Sequence, residues 1–448
     1  MIVPQIDNSQ LDQVPIVVIA SNRPHYLYRM LSTLLSVDGV NASLITVFID
    51  GYYDEPLMVC QLFNLRAVQQ KPLARRSARI SHHYKSSLTA TFVLFPDAQF
   101  AIIFEEDLDI ARDALIYFNQ TMELLKRDPS LYCVSAWNDQ GYEHSAHDAR
   151  LIYRVETMPG LGWMLSRKLY KQELEMRWPS ASQPHDWDMW IRTSAIRKGR
   201  ECLIPDISRT YHFGSTGTNI NSYFQDQYFS KHAFSLVPQK TFSDLDRLTK
   251  DAYERLIESL IVQAKVIRRD FMRGNSTSNL ANSNSISNRA NPSDDERYLC
   301  SLATTTTATA SLDSSSARRG GSGSAFVRHP EHVEQDSSHG SNRSMNYDSG
   351  VRRRMPSYLD DAGSNSHANS TAINVIYIQM IDKNDYRNWL RLARCWKIWD
   401  LDVRGQHNYM WRLFFRQEHY LVVGAPVSPY ARFKPDDLVP FNLEARKE

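Results

Sequence analysis

The sequence contains no CxxC pair and no Cys/His spacing of the kind a zinc site needs; its five cysteines, Cys60, Cys133, Cys202, Cys300 and Cys395, stand far apart. A sequence-local zinc module is excluded, and isolated thiols or long-range disulfides remain. Net charge is also nearly absent, with 52 Lys and Arg against 50 Asp and Glu. No global field therefore directs the chain to nucleic acid or to an anionic membrane. No run of about 20 apolar residues occurs and nothing resembles a signal peptide, so a soluble chain is expected. Within otherwise ordered-looking sequence, the N-glycosylation triplets Asn41-Ala42-Ser43 and Asn119-Gln120-Thr121 still leave a secretory compartment open.

What the chain does have is apolar material: 42% hydrophobic and 11% aromatic over 448 residues, enough for a large core in two or three domains. Pro15 to Ala20 (PIVVIA) is a β-branched run broken by Ser21-Asn22-Arg23-Pro24, which predicts a buried strand and a turn. Leu27, Met30, Leu31, Leu34 and Leu35 then share one helix face. Leu44 to Ile49 predicts a second strand ending at Asp50-Gly51, and the resulting βαβ unit puts both carboxyl ends on one edge. Phe100 to Phe104 predicts a third strand ending in Glu105-Glu106-Asp107. A helical stripe (Leu115, Phe118, Met122, Leu125) and a strand from Leu131 to Trp137 follow. The predicted class is α/β with a mostly parallel central sheet. Such sheets bind ligands at their strands' carboxyl ends, where Arg23, Asp50, the acidic triplet and Asn138-Asp139 fall. From about Asn275 to Ala372 the composition turns to Ser, Asn, Thr, Gly and Arg, too polar to offset ordering entropy. A disordered insertion over 273–372 is expected, between a domain at 14–272 and a returning carboxyl-terminal part at 373–448.

Three consecutive acids after an apolar strand repel one another. A hard divalent cation, Mg²⁺ or Mn²⁺, shared between one or two carboxylates and a substrate diphosphate resolves that; a solvated acidic loop is the plainer alternative. Asp186-Trp187-Asp188-Met189-Trp190 sets carboxylates among aromatics, an arrangement that raises a general base's pKa and offers rings to a sugar, or else packs a helix by its tryptophans. Met158-Pro159-Gly160-Leu161-Gly162-Trp163 reads as a loop admitting close ligand approach, or as a tight turn. His82 and His83 lie in a basic segment, Arg75 to Lys85, predicted helical and within reach of uracil or phosphate. His212 precedes a glycine turn as a late candidate metal ligand. The ordinary reading of all three histidines is structural.

The stretches PIVVIASNRP, ITVFIDG, EEDLDI, YCVSAWNDQGYEH, ETMPGLGWML, DWDMWIR and IPDISRTYHFG together resemble glycosyltransferase family 13, the β-1,2-N-acetylglucosaminyltransferases, over roughly residues 14 to 240. The resemblance implies a GT-A fold with a carboxyl-terminal extension packed on it, Mn²⁺ as cofactor, UDP-GlcNAc as donor, and inverting displacement onto a mannose 2-hydroxyl. It implies Asp107 as the metal ligand and Asp188 as the catalytic base. Glu105 and Glu106 would line the sugar and ribose side, with Arg23, Asp50 and His83 around uridine. Trp187 would help shape the site, and Trp399 and Arg404 would meet the mannosyl acceptor. The tail (Ile398 to Gly405, Leu421 to Gly424, Ser428 to Tyr430), with EED and GYEH, resembles the branch acting on O-mannosyl glycoproteins rather than the branch acting on N-glycan mannose. A non-catalytic, lectin-like protein is the reading outside the enzyme class. The resemblance also implies bridges Cys133–Cys202 and Cys300–Cys395 and leaves Cys60 over. The family's pair beside the first two strands is replaced by Ser21 and Gly51. The anchoring segments of that branch are not in this sequence, so the expectation is a lumenal Golgi domain that meets the membrane only through an amino-terminal anchor. No nucleic-acid partner is expected.

Overall fold

The computed structural model describes residues 11–157, 160–180, 186–217, 222–269, 292–304, 372–399 and 403–444. By its contacts the chain divides into one unit, residues 1–305 with 371–448, and a second, 306–370, which lies wholly outside the described residues. No helix among the described residues is long and apolar enough to cross a membrane.

The main sheet is built from β1 (Ile16–Ala20), β2 (Ile45–Asp50), β3 (Arg66–Gln70) and β4 (Phe100–Glu105), then β6 (Leu131–Ser135), β7 (Ile152–Val155), β8 (Trp163–Ser166) and β9 (Glu201–Pro205). Their order is β3-β2-β1-β4-β8-β6-β9-β7, and only β8 and β7 run against the others. The sheet is thus mixed and mostly parallel, as expected. β1 and β2 are buried along their whole length, which is why both read as unbroken apolar runs rather than alternating ones. Cys133 and Cys202 face each other across the parallel β6 and β9 and are bridged; Cys300 and Cys395 form the second bridge, and Cys60 is free and buried.

Helix α1 (Pro24–Leu34) buries Leu27, Met30, Leu31 and Leu34 fully, each worth about 1.5–3 kcal/mol of transfer free energy. Leu35 caps the helix instead of extending it. Pro24 at the first helical position suits its fixed φ, so the Asn22-Arg23-Pro24 turn places Arg23 at the helix start, beside the ends of β1 and β4. The remaining long helices of this half are α2 (Asp54–Leu62), α3 (Arg76–Leu94) and α4 (Ala114–Arg127), the last burying Leu115, Phe118, Met122 and Leu125 as its stripe predicts.

A two-stranded antiparallel ribbon, β5 (Leu108–Ile110) with β10 (Thr210–His212), sets His212 opposite Leu108. The carboxyl-terminal segment returns as a separate five-stranded sheet, in the order β11 (Lys265–Val266), β12 (Ile373–Met380), β15 (Glu418–Pro426), β14 (Met410–Phe415) and β13 (Gln406–His407). Pairing of β11 with β12 joins residues from either side of the low-complexity segment.

One expectation fails inside that segment. Pro292–Thr304 is a helix, not disordered chain. Its Leu299 is fully buried, Asp295 accepts Arg269 Nε and Nη2 at 2.7 and 2.8 Å, and Cys300 is bonded to Cys395. A window average dominated by Ser and Asn hides these few residues, because an apolar anchor and a covalent tie suffice to fix one short helix. The rest of the 273–372 expectation lies outside the described residues.

Candidate active site

β1, β2 and β4 are parallel, so Ser21–Arg23, Asp50 and Glu105–Asp107 emerge on one edge. The amide of Glu106 donates to Ile19 O at 3.0 Å, which carries the β1–β4 ladder past its last paired residues and turns the acidic triplet inward. Glu106 and Asp107 are buried, and Glu105 is half-buried. The Tyr84 hydroxyl donates to Glu105 Oε1 at 2.5 Å. Glu106 receives the Ser21 amide at 2.9 Å and Arg23 Nε at 2.6 Å. Asp107 Oδ2 accepts Arg23 Nη2 at 2.9 Å and faces His212 Nε2 at 3.5 Å.

These environments separate the three acids. Burial pushes Glu105 and Glu106 up to about 7, and the Asp107 charge adds to it. Burial alone would raise Asp107 too, but the His212 and Arg23 charges and hydrogen bonds outweigh it and hold Asp107 well below the usual carboxylate range. His212, opposed by burial, is raised by the same pairing.

Asp107 Oδ1 is buried and has no hydrogen-bond partner. A Cβ at Gly214 would stand 2.9 Å from both Cβ and Oδ2 of Asp107, so glycine in HFG keeps that carboxylate uncrowded. The free oxygen and its neighbouring imidazole are donors that suit a divalent cation. Among the described residues no group of three or more His, Cys, Asp or Glu converges as a complete cage, so an ion on Asp107 would take its other ligands from a bound molecule and water.

The other predicted residues divide into three groups. Asp50, buried at the end of β2, is clasped by Arg79 Nε on Oδ2 and Arg79 Nη2 on its carbonyl, both at 2.7 Å. His83 lies beneath it, buried, with Nδ1 2.9 Å from Gln70 Oε1 and Nε2 3.2 Å from Phe48 O. Burial pushes this imidazole down to about 4, so it is neutral at pH 7 and both ring nitrogens are occupied by protein. His83 supports the wall behind Asp50; it presents no ring nitrogen to a ligand.

Asp188 lies in the first turn of the short helix Trp187–Arg192 and pairs with Arg192 Nη1 at 3.0 Å. Its charge acts on both Tyr84 and Glu105, which places it on the same wall as the triplet. Trp187 is buried in a stack with Tyr84 at 4.1 Å and Trp163 at 5.5 Å. The sequence offered its ring either as a platform for a sugar or as packing for its helix. The structure uses it to seat the helix that carries Asp188, because the column of rings leaves it only 6% exposed.

Arg404 Nη1 stands 3.7 Å from Asp139 Oδ1, and the Arg192 guanidinium feels Arg404, Asp188 and Asp139 together. A line of alternating charge thus runs from Asp188 through Arg192 and Asp139 to Arg404, with the two arginines repelling each other across it. Trp399 stacks on Phe224 at 5.3 Å and exchanges hydrogen bonds with the Tyr142 hydroxyl. Gly162 serves packing rather than a ligand: its φ is +93°, and a Cβ there would meet Thr210 at 2.7 Å and Phe104 at 3.1 Å. Met158 and Pro159 of that loop, and residues 400–402 of the tail motif, lie outside the described residues.

Arg192, Arg79, Tyr84 and Gly214 escaped the sequence reading. Arg192 alone had a local signal, an arginine four residues after Asp188 on a helix; the others meet their partners only across the fold.

A buried acid with a free oxygen at the carboxyl edge of a mostly parallel sheet, next to an aromatic-backed second carboxylate, defines an α/β protein with its ligand site at the strand ends. The chain belongs to the GNT-I family, which it matches over residues 2–289. It is 30% identical over 272 residues to an alpha-1,3-mannosyl-glycoprotein 2-beta-N-acetylglucosaminyltransferase of Arabidopsis thaliana, a match covering 58% of this chain and 60% of that relative's length. Among solved structures it is similar to S. aureus TarS (TM-score 0.33, 14% identity, 45% of this chain and 37% of that one). It is also similar to the mannosyltransferase PcManGT from Pyrobaculum calidifontis in complex with GDP-Man and Mn²⁺ (TM-score 0.30, 13% identity, 42% and 54%).

Proposed function

We propose that the protein is an inverting β-1,2-N-acetylglucosaminyltransferase that moves GlcNAc from UDP-GlcNAc to the 2-hydroxyl of a mannose on a glycoprotein. The observation that carries this is the GNT-I match, because residues 2–289 contain Arg23, Asp50, the acidic triplet, Asp188 and His212 together. Residues 14–272 and 373–448 are read as one catalytic domain. Mn²⁺ is the proposed cofactor, held by Asp107 through its unpartnered Oδ1; when bound, such an ion supplies charge that stabilises a departing diphosphate.

The chain's own side chains do the rest. Arg23 and Asp50 hold the uridine end of the donor, with His83 behind Asp50, and Glu105 and Glu106 border its sugar and ribose. Asp188 takes the proton from the mannose 2-hydroxyl as that oxygen bonds to the GlcNAc anomeric carbon and the bond from that carbon to the diphosphate oxygen breaks. Arg192, 3.0 Å from Asp188, orients the carboxylate toward the acceptor hydroxyl. Trp399 and Arg404 are assigned to the acceptor; both fall outside the matched residues, and the charge line from Arg404 to Asp188 supports them.

For the acceptor, the relative's name favours an α-1,3-linked mannose of an N-glycan type. The second reading, mannose on O-mannosyl glycoproteins, rests on the tail sequence (Ile398 to Gly405, Leu421 to Gly424, Ser428 to Tyr430) together with EED and GYEH. The deciding assay offers an oligomannose N-glycan and an O-mannosyl peptide side by side with UDP-GlcNAc and Mn²⁺. GlcNAc on either defines the acceptor, and transfer to neither, with no donor hydrolysis, removes the transferase reading. The two disulfides support an oxidising compartment, in keeping with a Golgi lumenal location.

A further inference from the structure

Two N-glycosylation triplets fall among the described residues, and the fold treats them oppositely. Asn41 is exposed, as are Ala42 and Ser43. It begins the one-turn helix Ala42–Leu44 with its backbone still extended (φ −111°, ψ 106°). Its Oδ1 receives the Ser43 amide at 3.0 Å and the Ser43 hydroxyl at 2.8 Å. Those bonds occupy the carbonyl side of the amide only. The triplet lies between α1 and β2, immediately before the amino end of β2. Asp50 ends that strand, so Asn41 lies at the opposite edge of the sheet, about 20 Å away at ~3.3 Å per residue.

Asn119-Gln120-Thr121 sits within α4. Thr121 is fully buried and its hydroxyl donates to Tyr117 O at 2.7 Å. Asn119 is half-buried, and its Oδ1 has no access to solvent. Glycans are added as the chain enters the secretory compartment, before folding is complete. A chain carrying one on Asn119 would have to hold a large polar group against a helix that buries nine residues, and such chains would not accumulate in the native state.

We infer that Asn41 is a site of N-linked glycosylation and that Asn119 is not. The modification forms a bond between Asn41 Nδ2 and the anomeric carbon of an oligosaccharide carried on a lipid diphosphate. It breaks that carbon's bond to the diphosphate oxygen and releases the lipid diphosphate with the proton lost by the amide. The glycan projects from the sheet edge opposite Asp50 and the acidic triplet, and leaves the strand-end site clear. This inference does not depend on the transferase reading.

The test is peptide-level mapping of the full chain recovered from its own cells, deglycosylated by a peptide N-glycosidase in heavy-oxygen water. Further triplets at Asn275, Asn342 and Asn369 lie outside the described residues, so the total mass shift is not the readout. The expected result is heavy-oxygen aspartate at position 41 and unmodified Asn119. Unmodified Asn41, or label at position 119, overturns the inference. An Asn41→Gln chain made in the same cells should lose one glycan and keep its folding and turnover within about twofold, since surface changes away from structural features usually cost within about 0.5 kcal/mol. Turnover falling tenfold or more would place Asn41 in a different role.

Discussion

The two oxygens of Asp107 meet different demands: Oδ2 is spoken for by Arg23 and His212, while Oδ1 has nothing. Asp107→Asn keeps the shape and removes the charge, so we expect Mn²⁺-dependent UDP affinity to fall at least tenfold in calorimetry; unchanged affinity would exclude Asp107 as the metal ligand. Asp188 makes the opposite case. It acts only as the acceptor oxygen attacks, so Asp188→Asn should lower kcat by about 10²- to 10⁴-fold with UDP binding intact. Near-normal turnover would take the base role away from it. Arg192 works through Asp188: Arg192→Ala should lower kcat more than the donor KM, and added guanidinium should restore part of it. A loss confined to melting temperature, with kcat intact, would reduce Arg192 to a structural ion pair. Sequence made Asp107 and Asp188 visible because each sits in a contiguous motif. It left Trp187 and His83 open between a ligand-facing and a packing role, since whether a ring faces a ligand or the core depends on partners such as Tyr84 and Phe48 that are distant along the chain.

At the level of elements, β9 and β13 are joined by a buried polar network. Arg154 on β7 donates to Glu201 on β9 at 2.7 Å and to Asp128 at 2.9 Å. Glu201 also pairs with His407 on β13, and His407 lies 3.3 Å from Glu254. Burial opposes the charge on His407, but Glu201 overcomes it and lifts the imidazole to about 10, while Glu201, likewise opposed by burial, falls to about 2. In the unfolded chain His407 titrates near about 6.5. Between those values the native state holds a proton that the unfolded state lacks, so stability falls as pH rises. The His407 contribution is complete below about 6.5 and gone above about 10; the Glu201 contribution is complete above about 4.5 and lost as pH falls through about 2. We expect the melting temperature to drop between pH 7 and 10, and expect His407→Gln to flatten that slope while costing about 1–3 kcal/mol at pH 6, because Glu201 Oε1 loses its charged partner while Arg154 still holds Oε2. An equal alkaline slope in both proteins would assign the effect elsewhere. Nothing local announces this network: His407 and Glu201 are 206 residues apart.

For the whole molecule, the Cys300–Cys395 bridge ties the helix Pro292–Thr304 to the helix Arg387–Cys395 across 95 residues of sequence. The Trp396 indole donates to Leu299 O at 2.8 Å beside it, and Trp399 follows three residues on. Closing so long a loop constrains the unfolded chain strongly, so Cys300→Ser with Cys395→Ser should cost about 2–4 kcal/mol in denaturant titration; a change below about 0.5 kcal/mol would mean that packing alone holds the helix. The sequence by itself determined the α/β order of elements, the gathering of Arg23, Asp50 and the acidic triplet on one edge, and the family. Each follows from short apolar runs, turn residues and contiguous motifs, whose consequences are local or fixed by the direction of parallel strands. Only the tertiary structure decided which oxygen of Asp107 stays free, that Arg192 stands between the charges of Asp188 and Asp139, and that Trp187 and His83 face inward. It also decided that a helix stands inside the polar segment and that Asn41 is exposed where Thr121 is buried. These depend on burial and on partners far along the chain, and burial is a property of the assembled core that no single stretch of sequence carries.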